Sequence, residues 1–101
     1  MLKTKIQIPM VKIEEFCHKW KVKEFSLFGS VLREDFSPKS DIDVMVSFDD
    51  RATWDLFDLV DMIEELKVIF GRDVDLVEKG TIRNPFRRHS IMTNNEVLYA
   101  A

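Results

Sequence analysis

Apolar residues recur along this chain with two different periodicities, which divide it into alternating helices and strands. The predicted elements, in chain order, are a helix over about 9–20, a strand over 22–28, a helical turn over 31–35, a strand over 41–48, a helix over 52–70, a strand over 73–77, a helix over about 84–94 and a strand over 96–99. This order predicts an α/β (α+β) fold in which a small mixed β-sheet is backed by helices.

The longest predicted helix has a clear apolar stripe. Its predicted core face consists of Leu56, Leu59, Val60, Ile63, Leu66 and Phe70. Gly71 follows and is expected to cap the helix. Trp54, Phe57 and Val68 fall on the opposite side, among acidic residues. We expect Trp54 and Phe57 to contact a second subunit or a helical partner, and the alternative is that the N-terminal segment or the last helix covers them.

Composition limits the class of protein. The 101 residues suit a single domain over 1–101, and 46% hydrophobic residues suffice for a packed core. The net charge of −3 argues against direct, general binding of nucleic acid, which needs a basic face. Cys17 is the one cysteine, which fits the reducing cytoplasm, and we interpret it as a buried apolar residue. No apolar run approaches the roughly 20 residues that span a bilayer.

Two carboxylates lie at the start of the second predicted strand, in Asp41-Ile42-Asp43. Residues two apart in a strand point to the same face, so Ile42 enters the core while both carboxylates meet on the other side. A divalent cation between them would offset their repulsion, and Mg²⁺ binds carboxylate and phosphate oxygens together. The pattern by itself is more typical of a solvated strand end.

A Gly29-Ser30 pair precedes these carboxylates by ten residues and ends the first predicted strand. A glycine there, followed by a helical turn, lets backbone amides approach a phosphate, and the Ser30 hydroxyl can donate to it. The combination of this pair with the carboxylates predicts a phosphate site next to a metal site.

A third acid, Asp75, lies within the otherwise apolar Val74-Asp75-Leu76-Val77. Burial of a lone acid is unfavourable, so a metal or a partner is expected there. The rival is Asp73, which has the same strand parity. We prefer Asp75, because Asp73 follows Gly71-Arg72 and is expected at the strand entrance. The structural alternative is that Asp75 pairs with Arg33 or Arg72.

The segment from Leu27 to Val44, LFGSVLREDFSPKSDIDV, resembles the signature of the minimal nucleotidyltransferases of the DNA polymerase beta superfamily. Val74-Asp75-Leu76 is similar to the third acidic strand of that family. The order of elements matches over nearly the whole chain, and every catalytic position of the pattern is present. The departures are an N-terminal extension before Pro9 and a basic stretch over 83–89.

The resemblance implies a role for each matching residue. Asp41 and Asp43 would hold two Mg²⁺ ions, with Asp75 contributing to one and accepting the proton of the acceptor hydroxyl. Gly29 and Ser30 would bind the β- and γ-phosphates of ATP or another nucleoside triphosphate. Arg33 would steady the triphosphate, and its alternative role is a salt bridge with Asp35.

The resemblance also implies a partner. Family members of this size resemble antitoxins whose partner is a helical HEPN-type ribonuclease, with a tyrosine hydroxyl as acceptor and ATP as donor. The alternatives are a non-catalytic nucleotide-binding subunit that inhibits its partner sterically, and a transferase for small molecules. Self-association stays open, as does the role of the basic patch, which consists of Arg83, Arg87, Arg88 and His89.

Overall fold

The computed structural model describes residues 8–32, 40–81 and 84–101. Its elements, in chain order, are α1 (Met10–Lys19), β1 (Val22–Phe28), a 3-10 helix (Gly29–Leu32), β2 (Ile42–Phe48), α2 (Leu56–Phe70), β3 (Val74–Glu78), α3 (Pro85–Thr93) and β4 (Asn95–Ala100). The predicted order of helices and strands is confirmed, and so is the α+β class. Within the described part of the chain, no helix is both long and apolar enough to cross a membrane.

The four strands form one mixed sheet in the order β3-β2-β1-β4. β1 runs antiparallel to both β2 and β4, whereas β2 and β3 are parallel. The end of β1 and the starts of the other three strands therefore meet along one edge of the sheet. The Gly-Ser pair, the Asp-x-Asp pair and the third acid all lie at this edge.

Apolar side chains cover both faces of the sheet. The larger core joins α1 and α2 to one face, and its fully buried members include Ile13, Phe25, Leu27, Ile42, Val44, Met62 and Leu66. A smaller cluster on the other face consists of Phe28, Met45 and Ile91, with Val77 packed against it. Ile91 belongs to α3, so this helix packs on the face opposite α1 and α2.

Helix α2 begins later than predicted, at Leu56 rather than near residue 52. Asp55 is its N-cap: the Asp55 carboxylate accepts from the Asp58 amide at 2.9 Å, and the Asp58 carboxylate accepts from the Asp55 amide at 3.0 Å. This reciprocal pair satisfies amides that the helix itself cannot bond. Gly71 ends the helix in the left-handed region, with φ of 71°, as predicted.

The predicted core face of α2 is wrong in part. Met62 and Leu66 are fully buried, whereas Leu56 is 73% exposed and Val60 is 49% exposed. The rotation of α2 about its own axis is favoured by contacts with the end of α1. There Glu65 accepts hydrogen bonds from the Trp20 indole and the Lys19 ammonium, each at 3.0 Å. The helix carries more apolar residues than the sheet can cover, so one apolar arc is left outside.

The prediction that Trp54 contacts a partner stays a prediction, although the ring is already half-buried by a contact within the chain. Trp54 packs edge-on against Trp20 with ring centroids 5.1 Å apart, and its indole donates to the Trp20 carbonyl at 2.8 Å. The covering residue Trp20 comes from the end of α1, and the N-terminal segment over 1–7 lies outside the described residues. Phe57 is 79% exposed, so its part of the prediction still stands as a prediction.

Candidate functional site

Four residues are aligned across the sheet, in the order Asp75, Asp43, Phe28 and Asn95. Asp43 pairs with Asp75 of β3 on one side and with Phe28 of β1 on the other, and Phe28 pairs with Asn95 of β4. Directly paired residues place their side chains on the same face of a sheet. Adjacent strands lie about 4.8 Å apart, so the structure brings the Asp43 and Asp75 carboxylates side by side.

Gly29 lies directly against the Asp43 carboxylate. A Cβ atom added to Gly29 would overlap that carboxylate, lying 3.0 Å from its Cγ and closer still to Oδ2. Gly29 also has a φ of 74°, which side-chain-bearing residues adopt only with strain. The glycine therefore connects the turn after β1 to the acid on β2, and a larger residue would push the two apart.

Asp41 precedes β2 and is exposed, whereas Asp43 is half-buried. Between them Ile42 is fully buried, as the strand parity predicted, and its amide donates to the Asp73 carbonyl at 2.9 Å. Within residues 8–32, 40–81 and 84–101, no three acidic, histidine or cysteine side chains converge as a group able to hold a metal ion. Shared metal binding by Asp41, Asp43 and Asp75 stays a prediction.

Asp75 and its rival Asp73 differ in their surroundings. Asp75 lies inside β3 in the row described above, whereas Asp73 precedes the strand and its carboxylate is 3.7 Å from the Lys67 ammonium. Both side chains are exposed, because β3 is an edge strand, so Asp75 avoids the burial that the sequence suggested. The alternative ion pair with Arg33 lies outside the described residues. The alternative pair with Arg72, whose guanidinium also donates to the Ser40 carbonyl at 3.5 Å, stays open.

The predicted helical turn over 31–35 begins earlier than predicted, and its residues 33–35 lie outside the described part of the chain. A 3-10 helix spans Gly29–Leu32, so the backbone of Ser30 lies inside its first turn. Arg33, the predicted triphosphate ligand, lies outside the described residues together with its alternative partner Asp35. The assignment of Gly29, Ser30 and Arg33 to nucleotide binding stays a prediction.

Sequence reasoning missed Asn95, the fourth residue of the row. Its side-chain amide donates to the carbonyls of Ile91 at 2.9 Å and Met92 at 3.1 Å, which caps the end of α3. This capping fixes α3 against the row, because Ile91 packs with Phe28 and Met45. An asparagine directly after a predicted helix end was the available signal.

The basic patch is described only in part. Arg88 and His89 are exposed on α3, whereas Arg83 and the side chain of Arg87 lie outside the description. Cys17 is buried, as predicted, and burial raises the pKa of its thiol to about 12, with Glu14 adding to the effect. The thiol therefore belongs to the core and has no place in the site.

Two relatives resemble this chain over most of their length. "Putative protein adenylyltransferase MJ1379" of Methanocaldococcus jannaschii is 42% identical over 73 residues, which is 72% of this chain and 73% of the relative. "Protein adenylyltransferase MntA" of Thermococcus cleftensis is 30% identical over 71 residues, or 70% of each protein.

Solved structures share the fold. A crystal structure of a toxin-antitoxin with AMP-PNP matches 93% of this chain and 75% of its own chain, with a TM-score of 0.73 and 23% identity. A tri-AMPylated Shewanella oneidensis HEPN toxin in complex with MNT antitoxin matches 91% and 70%, with a TM-score of 0.64 and 23% identity. The family model of the nucleotidyltransferase domain matches residues 10–97. On this match, which spans the whole row of the site, and on the sequence relatives, the chain belongs to the minimal nucleotidyltransferase family.

Proposed function

We propose that this protein is a Mg²⁺-dependent adenylyltransferase that moves AMP from ATP to a tyrosine hydroxyl of a HEPN-type partner and thereby acts as its antitoxin. The observation that carries the proposal is the pairing of Asp43 with Asp75, with Gly29 in contact with the Asp43 carboxylate. Two acids beside a turn that favours glycine suit a ligand that combines phosphate with a cation.

The donor set suits Mg²⁺, which prefers carboxylate oxygens and leaves room for phosphate. Asp43 and Asp75 would hold the ion, and Asp41 would join them by turning its exposed side chain, since it shares the strand parity of Asp43. When bound, the cation would neutralise charge on the phosphates of ATP. The relatives named as protein adenylyltransferases support this choice of chemistry.

The transfer itself requires a base and a held leaving group. The acceptor oxygen attacks the α-phosphorus of ATP, the bond from that phosphorus to the bridging oxygen of the β-phosphate breaks, and pyrophosphate leaves. The Asp75 carboxylate takes the proton of the acceptor hydroxyl as general base. The first backbone amides of the 3-10 helix, at Gly29 and Ser30, orient the leaving phosphates, since helix-initiating amides have no intrahelical acceptor.

Neighbours that share this fold support an acceptor on the partner protein. One of them is an MNT antitoxin in complex with a tri-AMPylated HEPN toxin, so the modified group of that pair belongs to the partner. We place the reaction in the cytoplasm. ATP is abundant there, and the reducing environment suits a chain whose one cysteine is Cys17.

The test is transfer of label from ATP carrying ³²P at the α-phosphate to a purified HEPN-type toxin. We expect labelled toxin with Mg²⁺ present, none with a chelator, and none with the Asp43→Asn variant. Mg²⁺ with ATP should also raise the melting temperature of the parent and leave that of Asp43→Asn unchanged. Peptide mapping then identifies the modified residue.

Two outcomes would contradict the proposal in different ways. Inhibition of the toxin by Asp43→Asn as strong as by the parent, with no label transferred, would favour the steric antitoxin instead. Label transferred to a small molecule but not to the toxin would favour the third class of activity.

A further inference from the structure

The exposed side of α2 carries an apolar surface that the proposed reaction does not use. Leu56 is 73% exposed, Phe57 is 79% exposed and Val60 is 49% exposed. We call these three residues the α2 stripe. They occupy the first turn and a half of the helix, and half-buried Ile63 continues the spacing of Leu56 and Val60 at i, i+4 and i+7. This spacing is that of a surface which packs against another helix.

The charge around the α2 stripe is strongly acidic. From Asp55 to Phe70, with both ends included, the chain has five acidic residues and a single base, Lys67. Asp61 and Glu64 are exposed beside the stripe, and the Lys67 ammonium lies 3.6 Å from Glu64 and 3.7 Å from Asp73. The rim of the stripe is therefore negative even with its one cation in place.

The sign of this charge selects among occupants. A second copy docked through the same stripe about a two-fold axis would bring the acidic rim with Asp61 and Glu64 against the same rim of the other copy, which is unfavourable. A helix with apolar residues along one side and lysine or arginine beside them would complement both features. From this we infer that the α2 stripe docks a basic amphipathic helix of a partner protein.

The position of the stripe separates docking from chemistry. α2 packs on one face of the sheet, and the cluster of Phe28, Met45 and Ile91 lies on the other face. Asp43 lies on the same face as that cluster, because it pairs directly with Phe28. A helix on the stripe would leave the candidate site open for a hydroxyl presented by another part of the partner or by another subunit. The inference rests on the proposed function only in taking the toxin as the partner.

The experiment measures the dissociation constant for the HEPN-type toxin of the transfer assay, by calorimetry, with parent and variant proteins. The double variant Leu56→Ala/Phe57→Ala should weaken binding by about tenfold or more, as buried aromatic anchors do. Val11→Ala is the matched control, because Val11 is 69% exposed but lies on α1. Its affinity should equal that of the parent.

Charge reversal gives a second, independent arm. Asp61→Lys should weaken binding most at low salt, whereas Glu14→Lys should not, since Glu14 is exposed on a different helix, α1. Unchanged affinity for the toxin in both Leu56→Ala/Phe57→Ala and Asp61→Lys would overturn the inference. So would a parent that forms dimers which Leu56→Ala/Phe57→Ala dissociates, since the stripe would then be an interface between copies.

The two proposals fail separately. If the parent transfers label and the stripe variants bind the toxin as tightly as it does, the docking surface is wrong and the proposed function stands. If the parent binds the toxin without transferring label, and the stripe variants lose binding, the docking surface stands and the proposed function fails.

Discussion

The Cα of Gly29 is packed against the carboxylate of Asp43, with no room for a side chain between them. This contact joins the turn after β1 to the acid on β2, two features that lie 14 positions apart in the sequence. Both residues are thus held at one edge of the sheet, where Asp43 is also paired with Asp75.

Gly29→Ala should therefore destabilise the protein and abolish transfer. The added methyl meets Asp43, and a residue at positive φ costs roughly 1–2 kcal/mol. Gly71→Ala is the matched control, because Gly71 has nearly the same φ of 71° with nothing within 4 Å of its added Cβ. Urea denaturation should show a loss for Gly29→Ala that exceeds that of Gly71→Ala by about 1 kcal/mol or more.

The double variant Gly29→Ala/Asp43→Ala tests the origin of that loss. Removing the carboxylate makes room for the methyl, since the Asp43 Cβ lies 3.4 Å from the added atom. The double variant should then be more stable than the sum of the two single effects predicts. Simple additivity would show that backbone strain alone, and not the contact with Asp43, penalises Gly29→Ala.

Asp75→Asn should reduce adenylyl transfer far more than Asp73→Asn. Loss of a general base typically costs about 10²–10⁴-fold in rate, whereas Asp73 lies outside β3 and near Lys67. Single-turnover kinetics at saturating Mg²⁺–ATP measures the difference. An equal loss in the two variants, or a larger one in Asp73→Asn, would mean that the wrong acid has been assigned.

Trp54→Phe should lower the free energy of unfolding by about 1 kcal/mol, because the Trp20 carbonyl loses the indole donor at 2.8 Å. Phe57→Ala should change it by less than about 0.5 kcal/mol, since that ring is 79% exposed. Chemical denaturation followed by circular dichroism measures both. A large loss for Phe57→Ala would reveal a contact of this ring within the chain.

Cys17 should resist alkylation in the folded protein at pH 8 and react fully in denaturant. Burial raises the pKa of its thiol from 9.0 to about 12, so the reactive thiolate is scarce. Because the folded-state pKa is the higher one, this group contributes stability below about pH 9 that is lost as the pH rises toward 12. Mass spectrometry after iodoacetamide treatment measures the modification, with Cys17→Ser as the blank. Rapid labelling under native conditions would contradict the burial.

The sequence determined which elements form and in what order. Alternation of apolar and polar residues fixes strand parity locally, so the burial of Ile42 was predictable from β2 alone. The left-handed cap at Gly71 was equally local. The resemblance of the Leu27–Val44 segment to the family identified Asp41 and Asp43 as candidate acids without knowledge of strand pairing.

Tertiary structure decided how these elements meet. The pairing of Asp43 with Asp75, and the contact of Asp43 with Gly29, depend on strand order and register, which no local pattern encodes. The rotation of α2 was mispredicted because its apolar residues span a wider arc than one face. Glu65, through its bonds to Trp20 and Lys19, favours the rotation that buries Met62 and exposes Leu56. Periodicity shows that a helix has an apolar side, but only its neighbours determine which part of that side the core covers.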